Sequence, residues 1–458
     1  MKENSAPATR SSFSGRIGYV LAVAGSAVGL GNIWRFPYLA AKYGGGIFLL
    51  TYLVLTLTFG YALIMSETAL GRMTRKSPVG AFHSFGRTLP FHIGGWVNAI
   101  VPFLIAPYYS VIGGWVLKYL FEYLRGNSSA LAGDGYFGGF TAASGQVEFW
   151  FLLFTLLAFV VILAGVKRGV ERVSKVMMPA LILLAVAVAA YSVTRPGAWE
   201  GVKYFLIPKW EDFSFMTVVA AMGQMFYSLS IAMGILCTYG SYIGKDVDLE
   251  KSTSQVEIFD TAIAILGGLM IIPAVFVFSG GDMATLQAGP ALTFITLPKV
   301  FASMGVGRIV GVAFFLMFLF AALTSAISLL ETCISTMEDE LHLTRPRACL
   351  VLGGIIFVLG SASALGFGVW SGVRLLGMQF LDFFDFITNS VMMPFAALAT
   401  CFLIVRVVGF QRVAEEIELS SRFRRKRLYC FFMKYLAPIC LIIILISSIA
   451  NVLGWITL

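Results

Sequence analysis

Eleven times along this chain of 458 residues, about 20 mostly apolar residues follow one another: near 17–40, 47–71, 93–124, 147–166, 173–194, 215–240, 256–280, 308–337, 346–366, 376–406 and 430–455. A run of that length crosses the hydrocarbon layer as a helix, because a helix satisfies its own backbone where no water can. Hydrophobic residues make up 58% of the chain and charged ones 12%, more apolar surface than a soluble core takes up. The sequence therefore predicts an all-α polytopic membrane protein. Its polar start, MKENSAPATR, lacks the apolar block and cleavage site of a signal peptide, so the first span is expected to direct insertion.

The net charge is +9, and the cations gather at 71–78 (GRMTRKSP), 167–175 (KRGVERVSK) and 422–427 (RFRRKR), which one topology places on a single side. With that side in the cytoplasm, the N-terminus is cytoplasmic, the C-terminus is external, and the protein sits in the cell's inner (plasma) membrane as a multi-pass protein. The basic runs read as topogenic signals in a lipid bilayer, with no nucleic-acid partner expected. Six cysteines show no CxxC spacing, and His83, His92 and His342 lie in polar connections without a partner pattern. No nucleophile–base pair or metal cluster is visible, so the chain is not read as an enzyme.

Two spans are poor helices. Residues 25–37, GSAVGLGNIWRFP, hold glycines, Asn32, Arg35 and Pro37, and residues 223–234, GQMFYSLSIAMG, dilute the sixth span with glycines and serines. Glycine weakens a helix by about 1 kcal/mol and proline by about 3 kcal/mol, so both segments are prone to unwind at mid-membrane, where irregular backbone is tolerated only around a cavity. If the sixth span repeats the first, two five-span units of opposite topology result, with an eleventh span appended. The predicted organisation is an N-terminal segment 1–16, a first repeat 17–194, an external connection 195–214, a second repeat 215–407, a basic linker 408–429 and a last span 430–458. Paired discontinuous helices in inverted repeats are a pattern of secondary transporters. Asn32, Arg35, Glu67, Gln224, Asp260, Thr324, Ser325, Glu331 and Asp385 all fall in spans, where polar groups are costly and mark a site.

The motif at 25–37 resembles the neurotransmitter:sodium symporter (solute carrier 6) family, in its bacterial amino-acid transporter branch. The resemblance continues in order through KYGGGIFLLTY (42–52), SETALGR (66–72), APYYSVIGGW (106–115), GQMFYSLS (223–230), FITLP (294–298), FAALTSAISLLE (320–331), MEDEL (337–341) and DFFDFITN (382–389). It implies two inverted five-helix repeats with discontinuous first and sixth helices. It also implies sodium-coupled, alternating-access symport of a neutral hydrophobic amino acid, with two Na+ sites and no need for chloride. A membrane sensor that binds an amino acid without moving it would carry the same cages and is the rival reading.

The resemblance also assigns residues. One sodium cage would combine the Gly25, Val28 and Ala321 carbonyls with the Thr324 and Ser325 hydroxyls. The other would use the Ala27 carbonyl, Asn32, Ser228 and an acidic group of the seventh span. Counting back from Gly268 gives Asp260 for that group, and counting from Pro273 gives Phe259; the reading adopts Asp260 with a one-residue gap, near Tyr52, Gln224 and Ser228, as the substitute for chloride. The substrate carboxylate would meet the amides of Leu30 and Gly31 and the Tyr109 hydroxyl, and its amino group the carbonyls of Ala27, Tyr227 and Ser230. Gly29, where amine carriers of this family have aspartate, argues for an amino acid. Ser26, Ile105, Tyr109, Phe226, Tyr227, Ser228, Ser230, Met233, Ser325 and Leu329 would line the pocket. Arg35 and Asp385 would form the external gate above Tyr109 and Tyr227, and Arg10, Asp339 and Tyr242 the cytoplasmic gate. Glu67 would bond the loose ends of the broken spans, and Glu331 would be a protonatable group behind the second sodium cage.

Overall fold

The computed structural model describes residues 11–280 and 289–452, and these are helical apart from turns and one isolated bridge between Leu375 and Met378. Among the described residues nine helices are long and apolar enough to cross a membrane: Gly46–Thr74, Leu89–Arg125, Ser144–Leu163, Val166–Val193, Leu249–Ser279, Gly307–Glu340, Arg345–Leu365, Phe380–Val408 and Lys426–Ser447. Arg16–Ala27 and Gly31–Lys42, bent by 50°, make up the first span. Phe215–Ser228 and Ile235–Ser241 make up the sixth, separated by residues 229–234. The architecture is thus two five-span repeats with broken first and sixth members and one further span.

One boundary differs from the sequence reading. The basic stretch 167–175 is not a connecting loop, because the fifth span already begins at Val166. The turn is confined to Gly165, whose φ of +83° favours glycine, and Gly169 lies so close to the Val161 carbonyl that a Cβ would stand 2.0 Å from it.

The two broken spans sit at the centre. The first half of span one packs against spans five, seven and eight, and the second half of span six packs against spans two and eight. In the first span the chain leaves the helix at Val28, whose ψ of 91° is extended, and resumes in a wide π turn over Gly31–Arg35; Pro37 falls in the first turn of the helix that follows, where a missing N–H costs least. In the sixth span Ser230, Ala232 and Gly234 all have positive φ, at 54°, 61° and 68°. The left-handed conformation costs a residue with a Cβ about 1–2 kcal/mol. It is held at Ala232 by the buried Glu67, whose Oε1 accepts from the Ala232 N–H at 2.8 Å.

Close crossing of spans two and six needs small residues. A Cβ on Gly71 would stand 1.9 Å from the Cys237 carbonyl oxygen, and one on Gly240 2.4 Å from that of Thr68, so the two backbones touch from both sides. Nearby, the fully buried Arg72 bonds the Val247 carbonyl and Glu416, both at 2.8 Å, which ties the short helix Phe410–Glu418 to the second span.

Two stability measurements check this account. Gly71→Val is expected to abolish the folded monodisperse protein, whereas Gly138→Ala, where a Cβ meets nothing within 4 Å, leaves the thermal midpoint unchanged. Ala232→Gly removes about 1–2 kcal/mol of left-handed backbone cost, more than the roughly 0.4–1 kcal/mol of unfolded-chain entropy it adds. It should raise the midpoint in detergent, and Ala232→Val should lower it.

Candidate functional site

The breaks in spans one and six face spans three and eight around a pocket of about 330 Å³ of empty space, lined by Ser26, Ala27, Gly29, Leu30, Gly31, Ile105, Tyr109, Tyr227, Ser230, Met233, Ile235, Ser325 and Leu329. No charged side chain is among them. Every predicted lining residue is there except Ser228 and Phe226, and Ile235 is an addition that no motif pointed to. Phe226 is a correction: its ring packs against Phe59, at 5.5 Å between centroids, and the residue lines a separate cavity on the far side of Tyr227. Two residues on, Ser228 turns the other way, into the hydrogen-bond cluster around Asp260.

Glycine is required at the floor of the pocket. A Cβ on Gly29 would stand 2.6 Å from the Ser325 hydroxyl and 3.0 Å from that of Tyr109, and one on Gly31 2.6 Å from the Tyr227 ring. The Leu30 amide donates to the Tyr109 hydroxyl at 3.4 Å, which brings both groups together at the floor. Ser26 and Ser230 join the two broken spans, hydroxyl to hydroxyl at 3.0 Å, and Ser230 also donates to the Ser26 carbonyl at 3.1 Å.

Beside this floor lies the densest polar cluster in the core. Asp260 is fully buried and accepts from Asn32 Nδ2 at 2.8 Å, Ser228 Oγ at 2.6 Å and the Tyr52 hydroxyl at 2.5 Å, and Tyr52 also reaches Ser228 at 3.2 Å. Asn32 keeps its Oδ1 directed at the Gly29 amide at 3.4 Å. Phe259, the other candidate in the seventh span, is only half-buried and appears nowhere in this cluster. Gln224, one turn before Ser228 on span six, donates its amide to the Gly31 carbonyl at 3.0 Å.

A second group of oxygens lies where spans one and eight meet. Ser325 Oγ is 3.3 Å from the Gly25 carbonyl, Thr324 Oγ1 is 3.2 Å from the Ala321 carbonyl, and a Cβ on Gly25 would be 3.2 Å from Thr324. Thr324 also bonds back to the Phe320 carbonyl at 2.9 Å, the ordinary state of a membrane threonine. Val28 lies where this helix ends, three residues on from Gly25. Among the described residues no three His, Cys, Asp or Glu side chains come together as a metal site. A single carboxylate with amide, carbonyl and hydroxyl oxygens in one group, and neutral oxygens in the other, suits a hard monovalent cation better than a tightly held divalent one.

The residue groups expected as gates are arranged differently from each other. Arg35 and Asp385 line a cavity with about 1460 Å³ of empty space but form no ion pair. Arg35 lies over the Tyr227 ring, 5.4 Å from its centroid, while Asp385 accepts from Asn389 at 2.6 Å and Tyr108 at 3.2 Å. Tyr227 borders both cavities, whereas Tyr109 belongs to the inner pocket alone, and its neighbour Tyr108 takes the outer side. Tyr108 and Asn389 were not singled out from the sequence, although Asn389 lies one turn from Asp385 in the same motif.

At the opposite end, Arg10 lies outside the described residues. Asp339 accepts from the Ser77 amide at 2.6 Å, and Phe13 is buried against Tyr19, Tyr239 and Tyr242. Tyr242 donates to Glu331 at 2.9 Å, and Arg345 closes on the same carboxylate and on the Ile162 carbonyl at 2.9 Å. Glu331, expected behind the Thr324–Ser325 oxygens, is thus held by Tyr242 and Arg345. It lies nearly two turns farther along span eight, as the counter-charge of a network that fastens spans four, six, eight and nine.

Comparison with known proteins agrees with this arrangement. The family model for the sodium:neurotransmitter symporter family matches residues 10–130 and 139–455. The sodium-dependent transporter YhdH of Bacillus subtilis is 34% identical over 442 residues, 95% of this chain and 97% of that one. The sodium- and chloride-dependent GABA transporter 2 of Homo sapiens is 27% identical over 508 residues, 98% of this chain and 81% of that one. The crystal structure of MhsT in complex with L-phenylalanine superposes with a TM-score of 0.87 at 37% identity, covering 96% of this chain and all of that one. With broken first and sixth spans meeting at a cation-suited oxygen cluster, and a family match running nearly end to end, the chain belongs to the sodium:neurotransmitter symporter family, a family of sodium-dependent membrane transporters.

Proposed function

We propose that this protein carries neutral, apolar amino acids across the inner membrane by alternating access, driven by two sodium ions and without chloride, with its N-terminus in the cytoplasm. The observation that supports this most directly is the pairing of an uncharged pocket with a buried carboxylate beside it. The pocket offers a carboxylate the Leu30 amide and the Tyr109 hydroxyl, and offers a side chain Ile105, Met233, Ile235 and Leu329, where a charged group would be stranded. The crystal structure of MhsT holds L-phenylalanine, which accords with a substrate of this class.

In this reading Ala27, Asn32, Ser228 and Asp260 hold one sodium next to the substrate carboxylate, and Gly25, Val28, Ala321, Thr324 and Ser325 hold the other. Asp260 then supplies the negative charge that a chloride ion would otherwise bring. Sodium binding at the second group would draw Thr324 Oγ1 off the Phe320 carbonyl and fix the bend of the first span against span eight. Gly29 leaves the room that the Ser325 and Tyr109 hydroxyls need. Arg35, Tyr227 and Asp385 serve as the outer gate, with Asp339, Tyr242 and Glu331 on the cytoplasmic side, where Glu331 takes a gating part in place of its expected one. Glu67 and Gln224 hold the broken backbone. Two sodium ions with one zwitterion move two charges, worth about 2.3 kcal/mol each per 100 mV, so uptake is electrogenic.

Liposomes containing the purified protein test this. Under an inward sodium gradient, L-phenylalanine or L-leucine should accumulate, faster with a negative interior, equally when gluconate replaces chloride, and with little competition from glutamate or lysine. Binding without accumulation would identify a sensor instead. Asp260→Asn should lower sodium-dependent uptake about tenfold in chloride-free buffer, a loss of ~1.4 kcal/mol, and regain activity when chloride is added; normal chloride-free activity would remove Asp260 from the ion site.

Gly29→Ala tests the pocket floor by equilibrium binding. Its Cβ falls 2.6 Å from the Ser325 hydroxyl. Overpacking of about 1–3 kcal/mol should weaken amino-acid affinity roughly tenfold or more while the protein stays folded.

A further inference from the structure

We propose that the groove between the tenth and eleventh spans seats an anionic phospholipid, its phosphate held by Arg406 and Lys434 and an acyl chain lying over Leu398, Phe402, Val405 and Pro438. These residues border one cavity with about 1730 Å³ of empty space, far from the transport pocket. Its floor is apolar, and its two cations come from different helices.

Both cations are exposed, and neither has an ion pair or hydrogen bond among the described residues. Lys434 has only the face of Tyr435, 5.0 Å from Nζ to the ring centroid. The nearby linker carries carboxylates, but they are engaged elsewhere: Glu416 with Arg72 at 2.8 Å, Glu418 with Lys426 at 3.8 Å, and Glu415 with the Gln411 amide at 3.1 Å. The groove therefore presents positive charge that the protein itself does not neutralise.

Arg406 lies in a π-helical turn, Leu403–Val408, at the end of span ten, and Lys434 in another, Phe432–Leu436, early in span eleven, two of seven such turns among the described residues. Both fall at the end of the bundle joined by the basic linker 408–429.

The combination of an apolar floor with unpaired cations at one end selects the occupant. A lone cation facing hydrocarbon is costly, and a phosphodiester at the interface removes that cost. A zwitterionic lipid brings its own cation beside the phosphate and gains less. Free inorganic phosphate would leave the apolar floor uncovered. A second copy in a two-fold contact would bring Arg406 and Lys434 against their own counterparts, setting like charges together.

The test is native mass spectrometry of the full chain in detergent, titrated with palmitoyl-oleoyl phosphatidylglycerol or with the matching phosphatidylcholine. Phosphatidylglycerol should bind one per chain and in preference to phosphatidylcholine. Arg406→Gln or Lys434→Gln should weaken it roughly fivefold, and the double variant roughly 30-fold, with phosphatidylcholine unaffected. Leu398→Trp, which fills the floor and keeps both charges, should also reduce phosphatidylglycerol binding, so the proposal stays testable if the double variant does not fold. Equal retention of the two lipids overturns it, as do unchanged binding in the charge variants, displacement by millimolar inorganic phosphate alone, and a dimer that forms through this face in place of lipid binding.

Discussion

Everything at the centre of this protein follows from backbone that is left unpaired in a place without water. Two spans break at mid-depth, and each freed N–H and C=O there must find a partner inside the molecule or bind something. Some are satisfied by buried side chains: Glu67 takes the Ala232 amide and Gln224 supplies the Gly31 carbonyl. Others face the pocket, where the Leu30 amide and the carbonyls around Gly25 and Ser26 meet only hydroxyls of Tyr109, Ser230 and Ser325. The same break that would destabilise an ordinary span thus supplies the polar groups of the site. The left-handed residues at 230 and 232 are part of its cost.

Charge is used sparingly around that centre. Asp260 is surrounded by an amide, a serine and a tyrosine, and all three donate to its carboxylate oxygens. The pocket next to it has none, and Gly29 is too close to Ser325 and Tyr109 to carry any side chain. Toward the two ends of the bundle the charges differ in state. Arg35 and Asp385 stand apart across a wide cavity, while Glu331 is locked by Tyr242 and Arg345. At one end an arginine and a carboxylate thus stay unpaired with each other, and at the other a carboxylate is held by a tyrosine and an arginine.

The sequence was most legible where a physical rule acts locally. Span positions came from the length of apolar runs, and the breaks came from glycine, proline and polar residues inside two of them. It was least legible where partners come from distant segments. Phe226 and Ser228 are neighbours in the GQMFYSLS motif, yet one faces the outer cavity and the other faces Asp260, because the helix is still wound there and rotates them apart. Glu331 looked free until Arg345, from the next span, closed on it. The stretch at 167–175 looked like a loop because its composition is polar, and it is helical because a single glycine makes the turn.

The sequence by itself determined that the chain is a bundle of membrane helices, that its first and sixth members are broken, and which residue types stand at the breaks. Those are consequences of hydropathy and local helix propensity. Only the tertiary structure decided that Asp260 and not Phe259 meets Asn32, Tyr52 and Ser228, that Tyr227 rather than Tyr109 divides the two cavities, and that Arg35 and Asp385 remain apart. The physical reason is that these contacts join residues up to 228 positions apart, and their distances depend on how the helices cross and turn about their axes, which no local propensity encodes.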